Sequence, residues 1–325
     1  MSSWFEQLVG FRETAVPDVA EHFGVDGEYI TSRMNGRRIR HGRFEVLRLR
    51  ELRSQVDRLR LAGGTPRVRE VVADVKSLHK DPGNARALFQ VASQFNTLEM
   101  VGPGVTPESG ITQYEHDRTQ GPACAMSCGG GIIYRNYLIP IGREIGQTTF
   151  RQLNLLSGVS DALGVDVPMR NGYALPSVDQ LEEINRRLEA MTEHERDQVR
   201  SQFAVGLHWN SEVTLDDAGH VVSQAYCSAM PIAYSPANTA VWEPLARLTL
   251  EAAYEATLLA ATVNVHATGN RTVFLTLLGG GAFGNPSSWI IEAIERALRL
   301  TMREDLDVVI VSYGRANPDV AAVLT

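Results

Sequence analysis

Residues 272–286 read Thr-Val-Phe-Leu-Thr-Leu-Leu-Gly-Gly-Gly-Ala-Phe-Gly-Asn-Pro, and Ser-Ser-Trp-Ile-Ile-Glu-Ala-Ile follows at 287–294. This pattern predicts a buried strand, a glycine-rich loop and a helix. Free backbone N–H groups of such a loop meet the positive end of the helix, where an anion can bind. Glycine loses more conformational entropy on folding than other residues. So many glycines are therefore expected only where the backbone must approach a ligand closely. The alternative is a strand-to-helix turn without a ligand.

The loop differs from two common nucleotide-binding motifs. No Gly-Lys-Ser or Gly-Lys-Thr closes it, which excludes a P-loop nucleotide hydrolase, because no lysine is present to reach the terminal phosphates. Its glycines are not spaced as in the dinucleotide fingerprint, and Asp307 opens the predicted strand 307–313 instead of closing it. We therefore expect an anion-binding loop of another class.

Strands and helices alternate outward from this loop. The predicted strands are 68–75, 87–92, 272–278 and 307–313, with a hairpin over 208–227, and the predicted helices are 122–134, 177–203, 242–268 and 286–303. This alternation predicts a three-layer α/β/α domain over residues 63–325, with a mixed sheet covered on both faces.

Residues 1–62 predict a helical N-terminal appendage. The segments 17–25 and 27–34 resemble a helix-turn-helix, and 46–61 predicts a further helix. The basic stretch 37–44 adds a DNA-binding head as an alternative, but packing of helices onto the main domain explains the same residues and is favoured. The net charge of −7 indicates no general polyanion-binding surface.

The composition predicts a cytoplasmic protein. Of 325 residues, 44% are hydrophobic, which is enough for a sizeable core. Cys124, Cys128 and Cys227 cannot form a disulfide framework and are predicted to be buried thiols, which suits a reducing compartment. No apolar run reaches the roughly 20 residues of a membrane span, so no membrane association is expected. No spacing suggests a metal site or a tightly bound cofactor.

The segment 273–286 resembles the second phosphate loop of macrodomains, which bind ADP-ribose. In that family, glycines wrap the diphosphate and an aromatic residue contacts the distal ribose. The resemblance implies ligand contacts for Gly279, Gly280, Gly281, Ala282, Phe283, Gly284 and Asn285. It extends to residues 73–96, where it implies that Asp74 binds the adenine amino group and that Asn96 faces the distal ribose. After the last strand, it implies that Tyr313 or Asn317 lies beside the adenine.

The resemblance is divergent after Asn96. A macrodomain has its first glycine loop at that point, whereas here Gln120-Gly121-Pro122-Ala123 is interpreted as a displaced first loop. Residues of about 97–118 are then an insertion over the ribose, and 137–240 form a second insertion. The sequence is also distantly similar to poly(ADP-ribose) glycohydrolases. In those enzymes a Gln-Glu-Glu element follows a triple-glycine loop. That element is absent here, so their catalytic glutamates are not carried over.

The favoured function is a hydrolase that removes ADP-ribose from a modified macromolecule or small molecule. The alternative is a non-catalytic ADP-ribose or nucleotide sensor. The expected partner is ADP-ribose or an ADP-ribosylated substrate, and nucleic acid is less favoured. Hydrolysis needs a carboxylate near the ribose, and the first insertion holds Glu99, Glu108, Glu115 and Asp117. By position, Glu115 and Asp117 are chosen with Asn96 as catalytic candidates, although loop carboxylates are commonly only solvated. No role is assigned to His116 or His208.

Overall fold

The centre of the fold is a mixed β-sheet. The computed structural model describes residues 2–14, 16–61, 63–301 and 304–323. In chain order its strands are β1 (Phe23–Asp26), β2 (Tyr29–Ser32), β3 (Arg38–Arg40), β4 (Arg43–Arg48), β5 (Arg67–Val72), β6 (Leu88–Ala92), β7 (Pro140–Ile141), β8 (Glu144–Ile145), β9 (Met169–Arg170), β10 (Tyr173–Ala174), β11 (Ala204–Glu212), β12 (Val221–Cys227), β13 (Thr272–Thr276) and β14 (Asp307–Ser312).

In the described part of the chain, seven of these strands form the main sheet in the order β4-β11-β12-β6-β13-β14-β5. Strands β5, β14, β13, β6 and β12 run parallel to one another. Strand β11 is antiparallel to both of its neighbours, β12 and β4. Because the parallel strands share a direction, the segments that leave their carboxyl ends meet at one edge of the sheet.

Helices cover both faces of this sheet. They are α1 (Trp4–Val9), α2 (Val16–Glu21), α3 (Leu49–Asp57), α4 (Val75–Lys80), α5 (Gln120–Ser127), α6 (Gly129–Ile133), α7 (Ser157–Leu163), α8 (Val178–Ala190), α9 (Glu193–Arg200), α10 (Thr239–Thr268) and α11 (Ser287–Leu300). The long helix α10 packs on one face together with α3, α8, α9 and α11. Helices α4 and α5 pack on the other face. No helix among the described residues has the length and apolar character needed to cross a membrane.

The side chains of β13 show how the sequence builds these layers. Val273 and Leu275 are buried in the same hydrophobic cluster as α10, whereas Phe274 between them is buried with residues of α4 and α5. Successive side chains of a strand point to opposite faces, so a continuously apolar strand must be covered on both. The predicted three-layer α/β/α fold is therefore confirmed. The cysteines are buried free thiols, as predicted.

The predicted helix-turn-helix is wrong. Residues Phe23–Asp26 and Tyr29–Ser32 form an antiparallel hairpin, and β3 extends it. In β2 the exposure alternates, with Ile30 and Ser32 buried. This period of two, with β-branched residues, favours a strand over a helix. The basic arginines of this region face carboxylates, with Arg37 2.7 Å from Asp217 and Arg40 2.7 Å from Glu28.

Other boundaries also differ from the expectations. Region 1–62 is not wholly helical, because β4 occupies the start of the predicted helix 46–61 and pairs with β11 in the main sheet. Residues 204–227 supply two strands of that sheet, so this part of 137–240 is not an insertion outside it. The predicted helix 122–134 is divided at Cys128 into α5 and α6. The last helix is described to Leu300, and its predicted end at Arg303 lies outside the described residues.

Candidate functional site

A cavity of about 800 Å³ opens at the carboxyl ends of β6, β13 and β14. It is lined by the segments that leave these strands, residues 92–94, 276–283 and 311–319, and by 116–122 at the start of α5. Its volume lies in the range of small-molecule sites, and the carboxyl edge of a parallel sheet is where such sites usually form.

The glycine-rich loop between β13 and α11 forms one wall. The loop is closed on itself, because the N–H of Asn285 donates to the carbonyl of Gly279 over 3.0 Å and that of Gly284 donates to Gly281 over 3.1 Å. The Asn285 side chain is buried, and its Nδ2 donates to the carbonyl of Met230 over 2.9 Å. Asn285 thus ties the loop to the segment after β12.

Several backbone N–H groups of this wall have no partner. The N–H groups of Gly279, Gly281, Ala282 and Phe283 donate no hydrogen bond to any described residue. The cavity is also lined by Arg118 and Arg315, which form no ion pair with any described residue. Unpaired N–H groups and two unpaired guanidinium groups in one cavity are suited to bind an anion such as a phosphate.

The displaced first loop begins α5 at the opposite wall. A Cβ at Gly121 would lie 2.1 Å from the carbonyl oxygen of Ala92, so the start of α5 can reach the end of β6 only with glycine here. The side-chain oxygen of Gln120 accepts a hydrogen bond of 3.0 Å from the N–H of Val75. Gln120 therefore borders the cavity while its side-chain oxygen holds α4 against α5.

Glu99 borders the cavity from inside the protein. Its side chain is 1% exposed, and neither carboxyl oxygen has a hydrogen-bond partner among the described residues. The nearest cation is the buried Arg135, whose Nη2 lies 3.6 Å from Oε1 of Glu99. Burial raises the pKa of Glu99 to about 8, against the opposing effect of Arg135. The group is therefore mostly protonated at neutral pH.

The guanidinium of Arg135 is held firmly behind Glu99. Its Nε donates to the carbonyl of Thr97 over 3.0 Å, and its Nη1 donates to Nδ1 of His208 over 3.4 Å. The guanidinium carbon also lies 3.6 Å from the centre of the Tyr226 ring. These contacts leave Nη2 directed at Glu99.

Asp117 and Glu115 occupy different environments. Asp117 lines the cavity, and its Oδ1 accepts hydrogen bonds from the N–H of Thr119 over 2.7 Å and from its hydroxyl over 2.6 Å. Glu115 does not line the cavity, and its Oε2 accepts from the N–H of Trp4 over 3.2 Å. Of the two carboxylates chosen from position, the structure brings only Asp117 to the cavity.

Asn96 and Asp74 also lie away from the cavity lining. Asn96 is buried, with its Oδ1 accepting from the N–H of Leu98 over 3.1 Å and its Nδ2 donating to Gln152 over 2.9 Å. Asp74 caps α4 by accepting from the N–H of Lys76 over 2.8 Å. Their assignments to the distal ribose and the adenine stay predictions, and the described contacts of both side chains are structural.

Aromatic side chains form two further parts of the lining. Phe283 packs against Tyr173 and Tyr234, with ring centres 5.4 and 5.7 Å away. At another part, Tyr313 is 60% exposed, and Asn317 lies nearby, its Oδ1 accepting from the N–H of Asp319 over 2.9 Å. Flat rings of this kind can stack on a base or cover a ribose.

The cavity therefore brings together most of the residues expected from the sequence. Those that line it are Asp117, Gln120, Gly121, Gly279, Gly280, Gly281, Ala282, Phe283, Asn285, Tyr313 and Asn317, whereas Asp74, Asn96, Glu115 and Gly284 do not. The sequence-based selection omitted the lining residues Arg118, Tyr173, Tyr234 and Arg315. Both tyrosines belong to 137–240, which lay outside the resemblance, and the sequence carried no signal that would have found them. Glu99 was among the four insertion carboxylates but was not selected.

No protein-family model and no curated protein matches this sequence. Solved structures similar to the chain include poly(ADP-ribose) glycohydrolases. The enzyme from Thermomonospora curvata is 14% identical, over 95% of this chain and 96% of that chain, with a TM-score of 0.46. The enzyme from Deinococcus radiodurans in complex with ADP-ribose is 10% identical, over 87% and 95% of the two chains, with a TM-score of 0.45. At these values the likeness assigns no residue role to this chain.

Proposed function

We propose that the cavity binds ADP-ribose and that the protein hydrolyses the bond between the distal ribose and the group that carries it. The observation that carries this proposal is the set of unpaired N–H groups in the glycine-rich loop, in one cavity with Arg118 and Arg315. A diphosphate bears two negative charges and several acceptor oxygens, which these donors match. The likeness to the glycohydrolase structures is no part of this support.

The aromatic lining agrees with a ligand that has flat and apolar parts. An adenine and two riboses need surfaces for stacking as well as an anion site, and Tyr313 and the Phe283 cluster offer such surfaces in the same cavity. AMP would use only part of this lining. We therefore expect a clear preference for ADP-ribose over AMP.

Two carboxyl groups supply the acid–base chemistry in this proposal. Hydrolysis forms a bond between a water oxygen and the anomeric carbon of the distal ribose, and breaks the bond from that carbon to the leaving atom. The water loses a proton, and the leaving atom gains one. Asp117, which lines the cavity, takes the proton from water. Glu99, whose pKa is raised to about 8 by burial, donates the proton to the leaving atom.

Calorimetric titration with ADP-ribose tests the binding part, with AMP and NAD as comparisons. We expect ADP-ribose to bind most tightly, and equal or absent binding of all three would contradict the proposal. Incubation with mono- and poly-ADP-ribosylated proteins, followed by detection of free ADP-ribose, tests the hydrolysis. Tight binding without release from either substrate would identify a sensor instead of an enzyme.

A further inference from the structure

The residues directly before Asp117 form a short 3-10 helix, Thr112–His116, here called the 112–116 turn. Its start is held by Glu13, whose Oε1 and Oε2 accept hydrogen bonds from the N–H groups of Ile111 and Thr112, each over 2.8 Å. A Cβ at Gly110 would lie 2.3 Å from Oε2 of Glu13, so the carboxylate fits closely against the chain. The hydroxyl of Tyr137 also donates to Glu13.

Trp4 holds the same turn at two further points. Its indole Nε1 donates to the carbonyl of Thr112 over 3.1 Å, and its backbone N–H donates to Oε2 of Glu115 over 3.2 Å. Both Trp4 and Glu13 belong to the N-terminal segment, about 100 positions from the turn along the chain. Unpaired N–H groups at the start of a helix are costly, and an external carboxylate satisfies them.

The 112–116 turn in turn supports both carboxyl groups of the proposed chemistry. The hydroxyl of Tyr114 accepts a hydrogen bond of 2.8 Å from the backbone N–H of Glu99. Asp117 follows the turn directly, and its N–H donates to the carbonyl of Tyr114 over 3.2 Å. A shift of the turn would therefore move the two carboxyl groups together. It would leave the glycine-rich loop in place, because the turn makes no hydrogen bond to residues 279–285.

We propose that Trp4 and Glu13 hold the 112–116 turn and thereby position Glu99 and Asp117 for hydrolysis, with Glu13 as the principal positioning residue. This inference rests on the function proposed above. It gives the N-terminal segment a role in the reaction, although none of its residues lines the cavity. A misplacement of about 1 Å at reacting groups can cost on the order of 100-fold in rate, so a small displacement of the turn is sufficient.

The test compares Glu13→Ala with the control variant Glu6→Ala. Glu6 lies on the same segment, and its carboxylate forms an ion pair of 3.9 Å with the exposed Arg12 but no hydrogen bond to the 112–116 turn. For Glu13→Ala we expect kcat to fall on the order of 10-fold to 100-fold, with KM and the Kd for ADP-ribose changed less than about twofold. A loss of folded protein would also lower the apparent kcat at unchanged KM, so kcat is calculated per ADP-ribose-binding site, as counted by calorimetric titration. Glu6→Ala should leave all three constants unchanged.

Hydrogen exchange of the protein without substrate gives a second readout. In Glu13→Ala the amides of residues 111–117 should exchange faster, while those of 279–285 should not change. If Glu13→Ala does not fold, Glu13→Gln retains the side-chain size and one acceptor oxygen, and Trp4→Phe keeps an aromatic ring but removes the indole donor to Thr112. Both should show the same split with smaller amplitude.

The outcomes separate the two proposals. An absence of turnover in the unmodified protein overturns the proposed function. Normal turnover there, together with an unchanged kcat in Glu13→Ala, overturns only the positioning role. A parallel rise of KM and Kd, or equally faster exchange throughout the chain, also overturns it, because the effect would then not be confined to the 112–116 turn.

Discussion

The two walls of the cavity are built in different ways. The glycine-rich loop at residues 279–285 presents backbone N–H groups, and the hydrogen bonds that these groups donate within the protein are local, as from Asn285 to Gly279. The wall at residues 97–121 presents the carboxyl groups of Glu99 and Asp117, and it is held by residues far away in the chain, such as Glu13 and Arg135. We expect damage to the first wall to affect binding and damage to the second to affect turnover.

The largest expected effect comes from the carboxyl groups of the second wall. Asp117→Asn and Glu99→Gln keep the size of each side chain and remove its acid–base function. Each should lower kcat on the order of 100-fold to 10,000-fold while the Kd for ADP-ribose changes little. Glu108→Gln is the matched control, because Glu108 lies in the same segment but bonds to Thr149 outside the cavity. Equal activity of all three variants would show that Glu99 and Asp117 have no special part in turnover, and the functional difference between the two walls would then be wrong.

A side chain at Gly281 should weaken ADP-ribose binding, whereas the changes to the carboxyl groups should lower kcat. A Cβ at this position meets no atom within 4 Å, and the residue lines the cavity, so valine fits the fold but intrudes on the anion site. Gly281→Val should weaken ADP-ribose binding on the order of 100-fold, since it blocks close approach of the phosphates. Gly24→Val is the control, at an equally open position in β1. Calorimetric titration measures the affinity of both variants for ADP-ribose. Unchanged affinity of Gly281→Val would show that the loop is only a turn.

The buried Glu99 carboxyl should make stability depend on pH. Its pKa is raised by burial from 4.5 to about 8, so the unfolded chain releases this proton at lower pH than the folded protein. The stability is fully present below the unfolded pKa and is lost as pH rises through the folded pKa, by up to about 1.4 kcal/mol per pH unit. Glu99→Gln removes this loss.

Urea unfolding at pH 5 and pH 9 provides the measurement. Relative to the unmodified protein, Glu99→Gln should gain on the order of a few kcal/mol between these pH values. Activity of the unmodified protein should also decline above about pH 8 as the proton donor ionises. The same pH dependence in both proteins would mean that Arg135 keeps Glu99 ionised.

The smallest expected effect concerns the arginines at the cavity. Arg118 and Arg315 are exposed, so each contributes through a solvent-screened attraction to the phosphates. Arg118→Gln or Arg315→Gln should weaken ADP-ribose binding by about threefold to tenfold, and the loss should shrink at high salt. Arg143→Gln, an exposed change outside the cavity, should have no effect. An effect independent of salt would instead indicate a steric or structural role.

The sequence was informative where the determinants are local. The continuous apolar runs of β13 and β14 and the glycines between β13 and α11 correctly located these strands and the loop that lines the cavity. It misled over residues 23–32, where short segments near glycines resemble helix ends as much as hairpins. The strands form there because Phe23 and Ile30 are buried in one hydrophobic cluster with Phe5, Leu8 and Val9.

The choice among the insertion carboxylates shows the same limit. Position along the chain favoured Glu115 and Asp117, but Glu115 turns to Trp4, and Glu99 lies buried beside Arg135. The protonation of Glu99 depends on its burial and on Arg135, which lies 36 positions away in the sequence. Neither the burial nor this partner can be inferred from the spacing of residues along the chain.

By itself the sequence determined the succession of strand, glycine-rich loop, helix and strand over residues 272–313, because backbone periodicity and glycine content act over a few neighbouring residues. Only the tertiary structure decided which carboxyl groups line the cavity and that Glu13 and Trp4 hold the 112–116 turn. The contacts responsible, from Glu13 to Ile111 and from Arg135 to Glu99, join elements that meet only when the apolar faces of the sheet and helices are buried together.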